Sequence, residues 1–130
     1  MQTLRLLLIM ISLAQISLGS PLMHAIEQVE SGGNPRAIGD GGKAIGILQI
    51  HAACVADVNR AYALKWKHAS MADVYLSRIV FQRYLELYAT EARIGRPVTD
   101  EDRARIWNGG PNGWKKDSTL AYWNKVKAYL

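Results

Sequence analysis

The sequence has only one cysteine, Cys54, among its 130 residues. No disulfide can form within the chain, so the fold must be stabilised by its hydrophobic core. Cys54 stands four residues from Ile50 and four from Val58. This helical spacing favours a small, buried apolar side chain at position 54 over a reactive thiol.

The sequence also lacks recognisable sites for metals and nucleic acids. Its three histidines, His24, His51 and His68, do not have the mutual spacing of metal ligands, and no pair of carboxylates accompanies them. Basic residues outnumber acidic ones by 16 to 11, but they are spread along the chain without a basic stripe or interleaved aromatics. We therefore expect no metal and no nucleic-acid partner. The net charge of +5 suits attraction to an anionic envelope polymer or membrane surface.

Strand-like alternation of polar and apolar residues is missing over any convincing length, and there are no internal repeats. Apolar residues recur instead every three or four positions, as in helices with one buried face. We predict an all-α domain, with room for one small hairpin between Gly39 and Gly46. With 130 residues, the chain has room for one domain and one modest core.

The N-terminal segment differs from the rest of the chain. One positive charge, Arg5, precedes an uncharged apolar run that ends at Leu18, and two small residues follow. This layout is typical of a secretory signal peptide cleaved after Gly19, and the run is short for a membrane span. We predict a signal peptide at residues 1–19, a single domain at residues 20–130, and export to the periplasm or the extracellular space. A retained N-terminal anchor is the alternative.

The first helix is predicted to end at Glu30, because two glycines and a proline follow shortly after it. At a helix C-terminus the unpaired carbonyl groups carry partial negative charge, and Glu27 lies one turn earlier on the same face. Both effects disfavour an ionised carboxylate and should raise the pKa of Glu30, as would any apolar wall nearby. A glutamic acid that is protonated near neutral pH can serve as a general acid. The alternative is an ordinary, solvated residue at a helix end.

Four more helices are predicted from apolar spacing and capping signals. One begins near Ile47, and a longer one is capped by Ser70. A short helix is capped by Thr99 and runs to Trp107, and Ser118 caps the last one.

Two glycine-rich loops, residues 32–42 and 108–113, interrupt the helices and place polar groups beside aromatic residues. Aromatic faces stack on sugar rings, and amide groups bind hydroxyl and N-acetyl groups, so this composition is typical of a ligand cleft. Structural burial is the alternative for each aromatic residue, and we favour burial for Trp123. The candidates are Trp107, Trp114, Tyr122 and Trp123.

Four motifs occur in an order that resembles a known family. They are Val29-Glu30-Ser31 with Asn34-Pro35, then Ala44-Ile45-Gly46-Ile47-Leu48-Gln49, then Trp107-Asn108-Gly109-Gly110, and finally Tyr122. Together they resemble the lytic transglycosylases of the soluble-lytic-transglycosylase (SLT) type, a branch of the lysozyme-like superfamily. The sequence departs from the family pattern at Trp107, where tyrosine is usual, and at Leu48, where methionine is usual.

The resemblance implies a small α-rich, lysozyme-like domain that acts as a monomer on peptidoglycan glycan strands without a cofactor. In such enzymes the residue matching Glu30 protonates the oxygen between N-acetylmuramic acid and N-acetylglucosamine. It then acts as a base while the muramic C6 hydroxyl attacks C1, which leaves a 1,6-anhydro end. The resemblance also implies a set of substrate-binding residues: Ser31, Gln49, Trp107, Asn108, Gly109 and Tyr122.

Two other functions remain open at the level of sequence. Ordinary glycosidases use a pair of carboxylates, and Asp40 could be the second if it reaches the cleft. Asp40 would then position a water molecule, and the enzyme would be a hydrolytic lysozyme. A peptidoglycan-binding module without activity would explain the loops and aromatics but not the acid beside Ser31. A role in wall remodelling, a secretion system or a phage is equally left open.

Overall fold

The structure, a computed structural model, describes residues 19–130. The predicted signal peptide, up to residue 18, lies outside the described residues, as does the alternative anchor. Within residues 19–130 the chain forms α1 (Pro21–Ser31), β1 (Ile38–Gly39), β2 (Ala44–Ile45), α2 (Ala52–Tyr62), α3 (Val74–Tyr88), α4 (Glu91–Ile94), α5 (Asp100–Gly109) and α6 (Leu120–Lys127). The predicted α-rich, single-domain fold is confirmed. No helix in this part of the chain is long and apolar enough to cross a membrane.

Helix α1 begins and ends as its sequence predicts. The Ser20 hydroxyl accepts a hydrogen bond from the backbone N–H of Met23, and Pro21 occupies the first helical position. Gly32 ends the helix in the left-handed conformation, with φ of 63°, and its N–H donates to the Gln28 carbonyl. Glu30 therefore lies in the last turn of α1.

The small hairpin is also confirmed. Strands β1 and β2 pair antiparallel, with Ile38 opposite Ile45 and Gly39 opposite Ala44. A single 3₁₀ turn, Asp40–Gly42, joins them. Asp40 is therefore held at the tip of a two-stranded ribbon.

Helix α3 contributes to a core that it shares with the other long helices. It contacts α2 on one side and α5 on another, while α6 packs against both α1 and α5. The largest fully buried side chains include Phe81 and Val80 from α3, Met23 and Ile26 from α1, and Ile106 from α5. This shared core fixes α1, and with it Glu30, against the helices that carry the rest of the site.

Three predicted helix starts are wrong. Helix α2 begins at Ala52, because Gly46 and Gln49 adopt positive φ angles of 86° and 52° that no helix can accommodate. Helix α3 is capped by Asp73, whose side chain accepts from the Leu76 N–H at 2.9 Å. Ser70 lies instead in the 3₁₀ turn His68–Ala72.

At the C-terminal end, Ser118 does not cap α6, because it lies within the 3₁₀ turn Asp117–Thr119 that precedes the helix. The predicted start of α5 is confirmed: Thr99 and Asp102 form a reciprocal capping box. That helix runs to Gly109, two residues beyond Trp107.

Candidate active site

Glu30 lines a cleft of about 600 Å³ between α1, the hairpin, α2 and α5. Its position follows from α1 ending one residue later, which directs the last turn of the helix toward the cleft. The cleft is lined by Glu30, Asp40, Gln49, Ile50, His51, Ala53, Cys54, Asp57, Tyr84, Trp107, Asn108 and Pro111.

Burial raises the pKa of Glu30 from 4.5 to about 7. Side-chain hydrogen bonds from Trp107 and Tyr122 act in the opposite direction, and the negative charge of Asp40 adds to the rise. Glu30 is therefore largely protonated in mildly acidic solution, as a general acid must be.

The predicted contribution of Glu27 to this pKa is wrong. Glu27 is only 3% exposed, and Arg78 of α3 binds its carboxylate through two hydrogen bonds, at 2.9 and 3.1 Å. An ion pair of this kind cancels most of the field that the Glu27 charge would exert on its neighbour. Desolvation of Glu30 itself supplies the rise in its pKa.

Two aromatic side chains flank the acid. The Tyr122 hydroxyl lies 3.5 Å from Glu30 Oε2 as a hydrogen-bond donor, and burial raises the pKa of Tyr122 far above its usual range, so that this donor stays protonated. The Trp107 ring packs edge-to-face with Phe81 and Tyr84, at centroid distances of 4.8 and 5.6 Å. Trp107 thus has a structural role as well as a position in the cleft.

Ser31 and Gln49, both predicted to bind substrate, make hydrogen bonds to backbone groups. Ser31 Oγ donates to the Ile47 carbonyl at 2.7 Å and accepts from the Asn34 N–H at 3.1 Å. Gln49 Nε2 donates to the carbonyls of Ala37 and Gly46, at 3.1 and 3.0 Å. Gln49 also lines the cleft, whereas the Ser31 hydroxyl is occupied by the protein itself.

Asn108, Gly109 and the remaining tryptophans take different positions. Asn108 lines the cleft and is exposed. Gly109 packs so closely on Thr119 that a Cβ at this position would lie 2.5 Å from the Thr119 methyl group. Its carbonyl accepts from the Lys116 ammonium at 2.7 Å. Trp114 and Trp123 pack against the core outside the residues that line the cleft.

Asp40 lines the cleft, as a second carboxylate of a glycosidase must. Its Oδ2 lies 2.9 Å from Nε2 of His51, the residue that precedes α2. The Asp40 side chain is 67% exposed, so that water has access to it. The cleft therefore contains Glu30, which is half-buried beside aromatic rings, and Asp40, which is open to solvent.

Two further polar residues, His51 and Asp57, line the cleft although the sequence analysis does not predict them as site residues. Asp57 accepts a hydrogen bond from the Tyr88 hydroxyl at 2.9 Å. A signal was available for Asp57, because Ala53, Cys54 and Asp57 share one face of α2 at helical spacing. His51 carries no comparable signal. Within residues 19–130, no three histidine, cysteine or acidic side chains are grouped so that they could hold a metal ion.

A small α-rich domain with a half-buried glutamic acid between a helix end and a short hairpin is a lysozyme-like protein. The family described as "Transglycosylase SLT domain" matches residues 10–93, and the chain belongs to this family.

Several lysozymes are similar to this chain in sequence and structure. The chain is 38% identical to a lysozyme of Meretrix lusoria over 87 residues, which cover 67% of this chain and 68% of that protein. It is 40% identical to the invertebrate-type lysozyme of Ruditapes philippinarum over 62 residues, or 48% and 43% of the two chains. The crystal structure of inhibitor-bound Meretrix lusoria lysozyme superposes with a TM-score of 0.71 at 31% identity, covering 85% of this chain and 89% of that chain. The structure of Tapes japonica lysozyme gives 0.70 at 27% identity, covering 84% and 88%.

Proposed function

We propose that this protein hydrolyses the β-1,4 glycosidic bond between N-acetylmuramic acid and N-acetylglucosamine in peptidoglycan. Glu30 is the general acid, and Asp40 is the second carboxylate. The observation that carries this proposal is that both acids line one cleft, where the charge of Asp40 acts on the pKa of Glu30. The similarity to lysozymes supports the same reaction class.

The reaction begins with protonated Glu30. Its proton passes to the glycosidic oxygen as the bond from that oxygen to C1 breaks, which leaves positive charge on the sugar ring. The Tyr122 hydroxyl, 3.5 Å from Oε2, and the Trp107 side chain donate to the carboxylate that this step creates. These donors favour the product of proton transfer, because hydrogen bonds to an ionised group are stronger than those to a neutral one.

Water completes the reaction. Asp40 is exposed, and it accepts a hydrogen bond from the water molecule that attacks C1. His51 Nε2, 2.9 Å from Asp40 Oδ2, orients the carboxylate. The water adds its oxygen to C1, and its proton passes through Asp40 to solvent. Glu30 then regains a proton from solvent, and the released sugar has a free reducing end.

Transglycosylation is the second candidate, and the match to the transglycosylase SLT domain family favours it. In that reaction the muramic C6 hydroxyl replaces water as the nucleophile, and ionised Glu30 accepts its proton. Asp40 would then have no chemical role. The substrate would be kept in place by the residues that the family resemblance implies, namely Ser31, Gln49, Trp107, Asn108, Gly109 and Tyr122. The two candidates share Glu30 and differ in their products.

Mass spectrometry of the fragments released from purified peptidoglycan tests the proposal. We expect reducing ends from the native protein, no products from Glu30→Gln, and a loss of about a hundredfold or more in Asp40→Asn. Asp117→Asn, which changes an exposed acid outside the cleft, should keep full activity. Products with 1,6-anhydro ends would establish the transglycosylase. Folded protein that binds peptidoglycan without releasing fragments would establish a binding module.

We further propose that the protein is exported and acts as a monomer on the glycan strands of the cell wall. The N-terminal apolar run and the wall substrate support this location. The intact mass of protein recovered from an expressing cell tests it, because cleavage after Gly19 would leave Ser20 at the N-terminus. A full-length mass in the membrane fraction would instead indicate a retained anchor.

A further inference from the structure

Gln49 has an unusual position between the hairpin and α2. Its backbone adopts a φ of 52°, a left-handed conformation that costs a residue with a side chain about 1 kcal/mol. The backbone N–H of Gln49 donates to the Gly46 carbonyl at 3.0 Å, which closes a tight turn. This turn directs the side chain back over the hairpin instead of along α2.

The Gln49 carboxamide connects the two ends of the hairpin. Nε2 donates to the Ala37 carbonyl, immediately before β1, and to the Gly46 carbonyl, immediately after β2. The Gly46 N–H also donates to the Ala37 carbonyl, at 2.9 Å. Each strand has only two residues, so these bonds at the base of the hairpin supply much of what keeps it closed.

The Gln49 carboxamide lies close against the first strand of the hairpin. A Cβ at Gly39 would lie 2.3 Å from Gln49 Oε1, so the amide oxygen rests directly against the strand residue that precedes Asp40. The same turn is joined to the general acid, because the hydroxyl of Ser31, next to Glu30, donates to the Ile47 carbonyl at 2.7 Å. The turn thus contacts both Ser31, the neighbour of Glu30, and Gly39, the neighbour of Asp40.

We propose that Gln49 is a positioning residue that holds Asp40 at the correct distance from Glu30 by clamping the base of the hairpin. The inference rests on the proposed hydrolytic function and assigns the role to the carboxamide N–H groups of Gln49. A glutamine that only bound substrate would have its amide hydrogens directed to the cleft. Here both are donated to backbone carbonyls.

The test replaces Gln49 by methionine, which has a similar length but no N–H groups. Misplacement of a catalytic group by about 1 Å can cost a hundredfold in rate, and we expect kcat to fall about tenfold to a hundredfold with KM within about twofold. In a protein that already carries Asp40→Asn, Gln49→Met should cause no further fall in kcat, because the clamp then positions a side chain that no longer takes part in the reaction. Gln28→Met, on the exposed side of α1, is the matched control and should keep native kcat.

Hydrogen exchange provides a readout that does not depend on activity. The Gly46 N–H donates to the Ala37 carbonyl at the base of the hairpin, and the Lys43 N–H donates to the Asp40 carbonyl in the turn at its tip. Both amides should exchange faster in Gln49→Met than in the native protein or in Gln28→Met. Gln49→Glu is the second variant. It keeps the shape of the side chain but places an oxygen against the two carbonyls, so the same two amides should exchange faster still. Thermal unfolding shows that each variant is folded.

Three results would overturn the inference. One is a rise in KM with unchanged kcat and unchanged exchange, which would make Gln49 a direct substrate contact. Another is a loss in the double variant equal to the product of the two single losses. The third is native exchange at Gly46 in both Gln49 variants. Native activity in Asp40→Asn would instead overturn the hydrolytic role of Asp40, while the exchange experiment would still decide whether the clamp exists.

Discussion

Arg78 of α3 binds Glu27 of α1 through two parallel hydrogen bonds, from Nε to Oε1 at 2.9 Å and from Nη2 to Oε2 at 3.1 Å. The pair lies one helical turn before the candidate acid, Glu30. It attaches α1 to α3, and it neutralises a negative charge close to Glu30.

Replacement of Arg78 by methionine should lower the free energy of unfolding by about 3 kcal/mol, because Glu27 would remain buried without a partner. Urea unfolding monitored by circular dichroism measures the loss. Arg103→Met, which breaks the exposed pair with Asp100, is the control and should cost less than about 1 kcal/mol. Adding Glu27→Gln to Arg78→Met should recover part of the stability. Equal losses in the Arg78 and Arg103 variants would contradict the structural role of the buried pair.

The rate of glycan cleavage should depend on pH through Glu30. The pKa of this group is raised to about 7, so the acid holds its proton below that pH and loses it above. Cleavage should fall about tenfold for each pH unit well above 7, since only the protonated fraction can donate. Initial rates between pH 5 and 9 on soluble glycan fragments would show this decrease. A decrease in rate centred near pH 5 would be incompatible with a buried general acid at this position.

The free energy of unfolding should also depend on the ionisation of Glu30. Below pH 4.5, Glu30 is protonated in both the folded and the unfolded chain; between 4.5 and about 7 only the folded chain keeps the proton. Raising the pH through this window therefore lowers the free energy of unfolding. Glu30→Gln cannot ionise, and at pH 8 it should be more stable than the native protein by about 2 kcal/mol, with little difference at pH 4. Parallel urea titrations at the two pH values test this, and a difference that does not change with pH would refute it.

Trp107→Phe should raise the pH above which the cleavage activity falls. The change removes an indole N–H that favours the ionised form of Glu30, so the pKa of Glu30 should rise by up to about one unit. The phenyl ring can keep the edge-to-face contacts with Phe81 and Tyr84. The pH profile of kcat measures the shift, with Trp123→Phe as a control outside the cleft. Identical profiles for both variants would mean that the indole N–H does not affect Glu30.

Substitution of Gly46 or Gly95 by alanine should separate the cost of a positive φ from the cost of a steric clash. Their φ angles are nearly equal, at 86° and 85°, but only at Gly46 would a Cβ meet a neighbour, the Met71 carbonyl oxygen at 2.0 Å. Gly95→Ala should cost about 1 kcal/mol for its conformation alone. Gly46→Ala adds a backbone clash and should cost about 3 kcal/mol or more, or prevent folding. Thermal unfolding compares them, and similar losses would show that the turn at Gly46 can move.

The parts of the fold that could be predicted from sequence depend on local signals. Gly32 ends α1, and Thr99 with Asp102 starts α5, because each signal involves residues within one turn of each other. The predicted start of α2 is wrong for a non-local reason. Ile47 and Ile50 have helical spacing, but their turn is held by hydrogen bonds to Ser31 and Ala37, far earlier in the chain.

The same distinction applies to the site. Glu30 could be identified because it lies at a predictable helix end, and the family motifs named its neighbours. The Glu27 to Arg78 pair spans 51 positions and leaves no periodic trace, so sequence alone could not show that the Glu27 charge is neutralised and does not raise the Glu30 pKa. The direction of Asp40 depends on how the hairpin folds over Gln49, which is a tertiary fact.

The single thiol of the sequence, Cys54, lines the cleft in an environment that makes it unreactive. Burial, helped by the nearby charge of Asp57, raises the pKa of Cys54 to about 12. Thiol–disulfide exchange and alkylation proceed through the thiolate, which is then almost absent at neutral pH. Disulfide formation between Cys54 and glutathione or another cysteine should therefore be slow at neutral pH, although the thiol lines the cleft.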